Sequence, residues 1–216
     1  MLKLSETEII QRINFGATFE AEAADGSFQI IVKSYDTPVI AAAVHAGSQF
    51  RDSLKPRCLL TQNERFYEED PWTSEFIHGM PIQLIANDSR YEYDLNRPLA
   101  NCIYKTAWGK KVWHARLPEK EKRLSILKHQ RFYRVVDALV HQLEKIHKRC
   151  LVFDIHTYNY RRIERSAPTF NLGTRQINKD RWQPMINQTI KALKSIKLLS
   201  VPTNTCLLYT SDAADD

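Results

Sequence analysis

Two histidines stand where an apolar run meets a polar turn. His45 follows Pro38-Val39-Ile40-Ala41-Ala42-Ala43-Val44 and leads into Ala46-Gly47; His156 follows Cys150-Leu151-Val152-Phe153-Asp154-Ile155 and leads into Thr157. Between them along the chain lie an acidic stretch, Glu68-Glu69-Asp70, and the segment Tyr93-Asp94-Leu95-Asn96-Arg97-Pro98. Neutral imidazole and carboxylate are ligand types of catalytic zinc, which keeps one coordination position for water. Water held there loses a proton near neutral pH and becomes a nucleophile. A guanidinium such as that of Arg97 grips a carboxylate through two parallel hydrogen bonds, which a lysine cannot do. Together these residue types point to a Zn2+-dependent hydrolase of small carboxylated substrates. His45, His156 and one acid, Glu69 first and Asp70 next, are the expected metal ligands. Asn96 and Arg97 are expected on the substrate carboxylate, with Arg90 or Asn96 near the developing oxyanion.

Each residue also has a plainer reading. A lone histidine is usually a surface or hydrogen-bonded group, and His78, His114, His129, His141 and His147 are read that way. Glu68-Glu69-Asp70 by itself would be a solvated acidic patch, and Arg97 could simply pair with Asp94. His45 and His156 rise above that background because both end apolar strands beside small or hydroxylated residues.

The elements that must position these groups can be read from hydrophobic periodicity. Residues 5–13 read as a short helix, with Ser5 as N-cap and Glu8 completing a capping box. The stretches 26–32, 38–44, 81–86 and 150–155 read as strands, and the continuous apolar run 38–44 suits a strand buried on both faces. Residues 47–71 read as a long polar loop, 73–78 as the opening of a short helix, and 91–95 as alternating apolar and polar residues. The strongest helix spans 119–149. There Leu124, Leu127, Val135, Val136, Leu139, Val140, Leu143 and Ile146 recur mostly every three or four residues, with Lys and Arg opposite. Strand, crossover, long helix and further strand imply an α/β fold, a mixed or parallel sheet flanked by helices. Such sheets collect ligands at the carboxyl ends of their strands, where His45, Asn96, Arg97 and His156 would all emerge.

Composition narrows the class. The chain has 216 residues, 43% hydrophobic and 10% aromatic, enough for a packed core. Its net charge of +6 and pI near 9.1 are mild, and much of the excess lies in Lys105–Arg149. That pattern reads as a solvated helix face rather than a nucleic-acid footprint. No stretch reaches the roughly 18 apolar residues of a membrane helix, and the amino terminus has no apolar core of signal length, so a cytoplasmic protein is expected. Cys58, Cys102, Cys150 and Cys206 form no Cys-x-x-Cys pair, which argues for reduced, structural thiols.

At these residues the chain resembles the N-formylglutamate amidohydrolase family. The pieces are Val44-His45-Ala46-Gly47, Glu69-Asp70-Pro71-Trp72-Thr73, Ser89-Arg90 with Asp94-Leu95-Asn96-Arg97-Pro98, Asp154-Ile155-His156-Thr157 and Asn171-Leu172-Gly173-Thr174. They run in the family's order over roughly residues 38 to 175. The resemblance implies a phosphorylase/hydrolase-like α/β fold related to zinc carboxypeptidases, and hydrolysis of an N-acyl bond on an amino acid such as glutamate. It also implies zinc held by His45, Glu69 or Asp70, and His156, with the substrate carboxylate on Asn96 and Arg97.

A single domain over 1–205 is expected. Residues 206–216, Cys206-Leu207-Leu208-Tyr209-Thr210-Ser211-Asp212-Ala213-Ala214-Asp215-Asp216, resemble the translation of a sequencing adapter. The natural protein is accordingly expected to continue past about Thr205. Relatives of this fold carry a catalytic glutamate on a late strand, so no catalytic base is assigned here. Two other functions fit parts of the pattern: a carboxypeptidase- or deacylase-like metallohydrolase of larger substrates, and a basic binding module using the Lys105–Arg149 helix. The second lacks the interleaved aromatics of a single-strand binder.

Overall fold

The computed structural model describes residues 1–158, 168–174, 177–197 and, for the backbone, 205–208. The chain divides into two compact units, Met1–Thr157 and Tyr158–Asp216.

The first unit is built on a six-stranded sheet. Its strands are β1 (Leu2–Leu4), β2 (Phe19–Ala23), β3 (Phe28–Val32), β4 (Val39–Ala43), β5 (Ile82–Ala86) and, last in the chain, β8 (Leu151–Asp154). A separate small ribbon pairs β6 (Thr106–Ala107) with β7 (Lys110–Lys111). The large sheet runs in the order β1-β2-β3-β5-β4-β8 and is mixed. β2–β3 and β3–β5 are antiparallel, while β1–β2, β5–β4 and β4–β8 are parallel. The arrangement is the mixed sheet flanked by helices that the sequence implies.

The all-apolar run of β4 is explained by its place between two parallel neighbours. Ile40 and Ala42 face one core, with Ile30, Leu84, Phe132, Val135 and Leu139; Ala41 and Ala43 face the other, with Ile77. A strand covered on both faces needs no polar alternation. β1 and β2 escape a sequence reading because Leu-Lys-Leu and Phe-Glu-Ala-Glu-Ala are short and half polar.

Helix α1 (Glu6–Asn14) starts on the expected capping box, with Ser5 and Glu8 each accepting from the other's backbone N–H. It buries Ile9 and Ile13 beneath α4 (Glu119–His147). Along α4 the buried stripe is Glu121, Ser125, His129, Phe132, Val135, Leu139 and Leu143. Only its carboxyl half is apolar. Leu124, Leu127 and Ile146, expected on the core face, are exposed instead. Over its first three turns α4 covers a polar loop rather than the sheet, and the buried residues there are hydrogen-bonding ones.

The segment 47–71 contains a 3-10 turn (Lys55–Arg57) and the short helix α2 (Gln62–Phe66), capped by Thr61 and Glu64. A second helical turn, α3 (Thr73–Phe76), follows. Phe50, Leu54 and Leu60 join Tyr91, Tyr104, Val112 and Trp113 in a satellite core. Residues 91–95 alternate in sequence yet form no strand: all of 87–95 is buried in turns and irregular backbone. In the second unit α5 (Lys179–Ser195) is capped by Asn178, and β9 (Phe170–Gly173) pairs in parallel with β10 (Thr205–Leu208). Of the expected adapter-like tail, 209–216 lie outside the described residues. No helix among the described residues is long and apolar enough to cross a membrane.

Candidate metal centre

Three adjacent parallel strands, β5, β4 and β8, release their carboxyl ends at one edge of the sheet. β4 delivers His45, β8 delivers His156 and Thr157, and β5 opens the buried segment 87–95, which runs on into Asn96 and Arg97. The turns after β4 and β5 run side by side. Gln49 N–H donates to the Asn87 carbonyl at 2.9 Å, and Ser89 N–H donates to the Gln49 carbonyl at 2.7 Å. Gly47 makes this possible: a Cβ there would stand 2.1 Å from the Asn87 carbonyl carbon and oxygen.

Asp70 reaches the same point from the loop. Its N–H donates to the His45 carbonyl at 2.9 Å. Its Oδ2 lies 3.4 Å from His45 Nδ1 and 3.1 Å from His156 Nδ1. Thr157 Oγ1 donates to Asp70 Oδ1 at 2.6 Å, leaving Oδ2 to the imidazoles. One ligand atom from each of His45, Asp70 and His156 can be chosen so that all lie within 4.8 Å of one another. Glu69, the first choice from sequence, turns the other way and accepts from the Ser89 hydroxyl.

Each imidazole is backed by a second carboxylate. His45 Nε2 is 2.7 Å from Asp94 Oδ1, with both side chains fully buried. His156 Nε2 is 3.1 Å from Asp154 Oδ2. Burial would raise the Asp94 carboxyl, but the charge of Arg90 and the hydrogen bonds from His45 and Tyr104 hold it well below the usual range. An ionised carboxylate only accepts, so the His45 proton sits on Nε2. In the neutral ring this leaves the Nδ1 lone pair pointing toward Asp70, buried and without a hydrogen bond. A lone pair aimed at a carboxylate is unfavourable unless a cation lies between them. The donor set of two imidazoles and a carboxylate, with a carboxylate behind each ring, fits zinc. Burial would lower the His156 imidazolium, but the charge of Asp154 and then of Asp70 raises it to about 10. Burial would likewise raise Asp70, yet its hydrogen bond to His156, joined by the one from Thr157, holds it far below the usual range.

Asn96 and Arg97 follow Asp94 directly. Asp94 Oδ1 accepts from Asn96 N–H at 2.7 Å, and Arg97 Nε lies 3.7 Å from Asp94 Oδ2, so the plain ion pair foreseen for Arg97 is also present. Arg97 keeps 28% of its side chain exposed. Arg90 is buried, and its Nη2 donates to Asp94 Oδ2 at 3.0 Å and to the Tyr104 hydroxyl at 2.9 Å. From α4, His129 Nε2 bonds the Arg97 carbonyl at 3.0 Å and the Tyr133 hydroxyl donates to the Leu95 carbonyl. Sequence reasoning missed Asp94 as a partner of His45, Asp154 as a partner of His156, and the roles of Tyr104, His129 and Tyr133. Asp154 had a local signal, since it stands two residues before His156 on a strand. The others are joined to the site only through the fold.

Fold and site together define an α/β protein with a histidine–aspartate–histidine cluster beside the strand ends. The N-formylglutamate amidohydrolase family model matches residues 37–205, and the chain belongs to that family. The structure is similar to that of N-formylglutamate amidohydrolase from Ralstonia eutropha JMP134. The TM-score is 0.64 at 15% identity, over 78% of this chain and 72% of that one. It is equally similar to a gene product from Agrobacterium tumefaciens, with TM-score 0.64 at 14% identity over 83% and 72% of the two chains. At these identities the likeness is one of fold. No curated protein matches the sequence.

Proposed function

We propose that this chain is a zinc-dependent amidohydrolase that cleaves the formyl-type amide of a small carboxylated amino acid such as N-formylglutamate. The observation that carries the reading is the buried His45 Nδ1, held by Asp94 as a lone pair aimed at Asp70 and bonded to nothing. His45, Asp70 and His156 would hold the ion, which when bound supplies Lewis acidity toward the acyl carbonyl and acidifies water. Asp94 and Asp154 orient the two imidazoles, and Thr157 turns Asp70 so that one oxygen faces both. Arg97 and Asn96 receive the substrate carboxylate, fixing the scissile amide so that attack is effectively intramolecular. Arg90 acts beside them by bracing Asp94, its carboxylate partner. The site lies in Met1–Thr157.

A second substrate class has its own support. The segment carrying Asp70 exposes Phe66, Trp72 and Phe76 at 50%, 66% and 64%. Exposed aromatics on the segment that carries a candidate metal ligand suit a larger apolar acyl or side-chain group, as in a deacylase-like hydrolase on the same metal. The basic-module reading is weakened by pairing on α4. Arg134 bonds Glu6, Arg131 bonds Asp25, and Lys128 pairs with Asp88 and Glu92.

The test is metal content by mass spectrometry on purified protein, together with hydrolysis of N-formyl-L-glutamate and of N-acyl phenylalanine. About one zinc per chain is expected, falling below roughly a tenth in His45→Ala and His156→Ala. Unchanged zinc in either variant overturns the assignment, and the faster substrate decides between the two classes.

A further inference from the structure

Tyr104 touches both Asp94, the partner of His45, and Arg97. It is buried, 5% exposed, in the aromatic cluster with Tyr91 and Trp108. Its hydroxyl bonds Asp94 Oδ2 and receives Arg90 Nη2 at 2.9 Å. Arginine can only donate and the ionised Asp94 can only accept, so the single phenolic proton must go to Asp94. Below the ring, the geometry is different: the Arg97 guanidinium carbon lies 4.7 Å from the Tyr104 centroid, within reach of a cation–π contact. The backbone is pinned as well, since Trp113 Nε1 donates to the Tyr104 carbonyl at 2.6 Å.

We propose that Tyr104 is a dual positioning residue, whose hydroxyl fixes Asp94 against His45 and whose ring supports Arg97 as the anchor for a substrate carboxylate. The inference rests on the amidohydrolase reading for the second role alone; the first concerns His45 whether or not metal is bound. The two roles reside in separable parts of one side chain. Tyr104→Phe removes the hydroxyl and keeps the ring, and Tyr104→Leu removes both. The phenol is no acid or base here: burial, and then the Asp94 charge against that of Arg90, hold it protonated far above its usual range.

The experiment begins on metal-free, nitrogen-15-labelled protein, reading the imidazole nitrogens of His45 by NMR. Tyr104→Phe is expected to shift Nε2 in the direction produced by Asp94→Asn, and Tyr91→Phe, which takes a hydroxyl from the same cluster, to leave it in place. Competition with a chromogenic chelator should show zinc bound about tenfold more weakly by Tyr104→Phe, the scale of a lost supporting bond behind a ligand. With N-formyl-L-glutamate, Tyr104→Phe should lower kcat and keep KM within about twofold. Tyr104→Leu should raise KM about tenfold, through loss of the arginine's support. Unmoved His45 signals in Tyr104→Phe, or equal KM in the Phe and Leu variants, overturn the proposal. If Tyr104→Phe does not fold, 3-fluorotyrosine at this position keeps the shape and alters the donor; it must move the same signals, and failure to do so counts against the role. A wild type that takes up no zinc while its His45 signals still respond to Tyr104→Phe supports the hydroxyl role and removes the amidohydrolase reading.

Discussion

Asp94 concentrates more of the site than any single ligand. Its two oxygens accept from His45 Nε2, Asn96 N–H, Arg90 and Tyr104, and it is fully buried. Replacing it by asparagine keeps the shape but puts an amide where a charge fixed the His45 tautomer. Asp94→Asn is expected to weaken zinc binding by about 10–100-fold in chelator competition. It should also lower stability by roughly 3–5 kcal/mol in urea unfolding, because the buried Arg90 charge loses its partner. Asp70→Asn and Glu69→Gln separate the two acids that sequence could not: the first should abolish zinc uptake and the second should retain it. At this scale the sequence was informative about residue types. His45, His156 and an acid from 69–70 were legible because they lie at strand ends or in a short motif. That Asp70 rather than Glu69 lies against the two imidazoles was not, since adjacent residues on an irregular loop carry no period that says which points inward.

Among the elements, α4 has a double duty that its apolar pattern conceals. Its carboxyl half packs on the sheet, while Lys128, His129 and Tyr133 hold the buried segment after β5 by Asp88, Glu92 and the carbonyls of Arg97 and Leu95. His129→Ala and Tyr133→Phe should therefore raise KM for a carboxylated substrate several-fold while leaving zinc content intact, a split that steady-state kinetics on metal-loaded protein will show. Asp88 ties this contact to pH. Burial and then the Glu92 charge raise its carboxyl from 3.8 to about 6, against the opposing pull of Lys128. The folded state thus holds the proton more tightly than the unfolded chain does. Stability from this group is greatest in acid and falls as pH climbs from about 4 to 6, by at most roughly 3 kcal/mol. Urea unfolding across that range should show a smaller decline in Asp88→Asn than in wild type. The helix itself was legible from its spacing. Its polar buried stripe was not, because Glu121, Ser125 and His129 look like a solvent face until something covers them.

For the whole first unit, the candidate metal centre of His45, Asp70 and His156 links β4, the Asp70 loop and β8, three parts far apart in the chain. An ion that binds only this assembled set stabilises the fold by mass action, about 2.7 kcal/mol at a hundredfold excess over Kd. Melting of the protein should therefore rise by about 5–10 °C with zinc and fall back with chelator; an unchanged Tm would mean that the three groups are not brought together by the ion. The sequence by itself determined that β4 is a doubly covered strand, that a long amphipathic helix packs on a mixed sheet, and that histidines emerge at strand ends. Those features rest on local periodicity and on contacts that any apolar run must find. Only the tertiary structure decided that β4 lies between β5 and β8, so that His45, His156 and the Asp94 segment share one edge. It also decided that Asp94, forty-nine residues from His45, sets its proton, and that Tyr104 joins that carboxylate to Arg97. Such pairings depend on which strands are neighbours and which loops cross, and no short-range pattern in the chain encodes them.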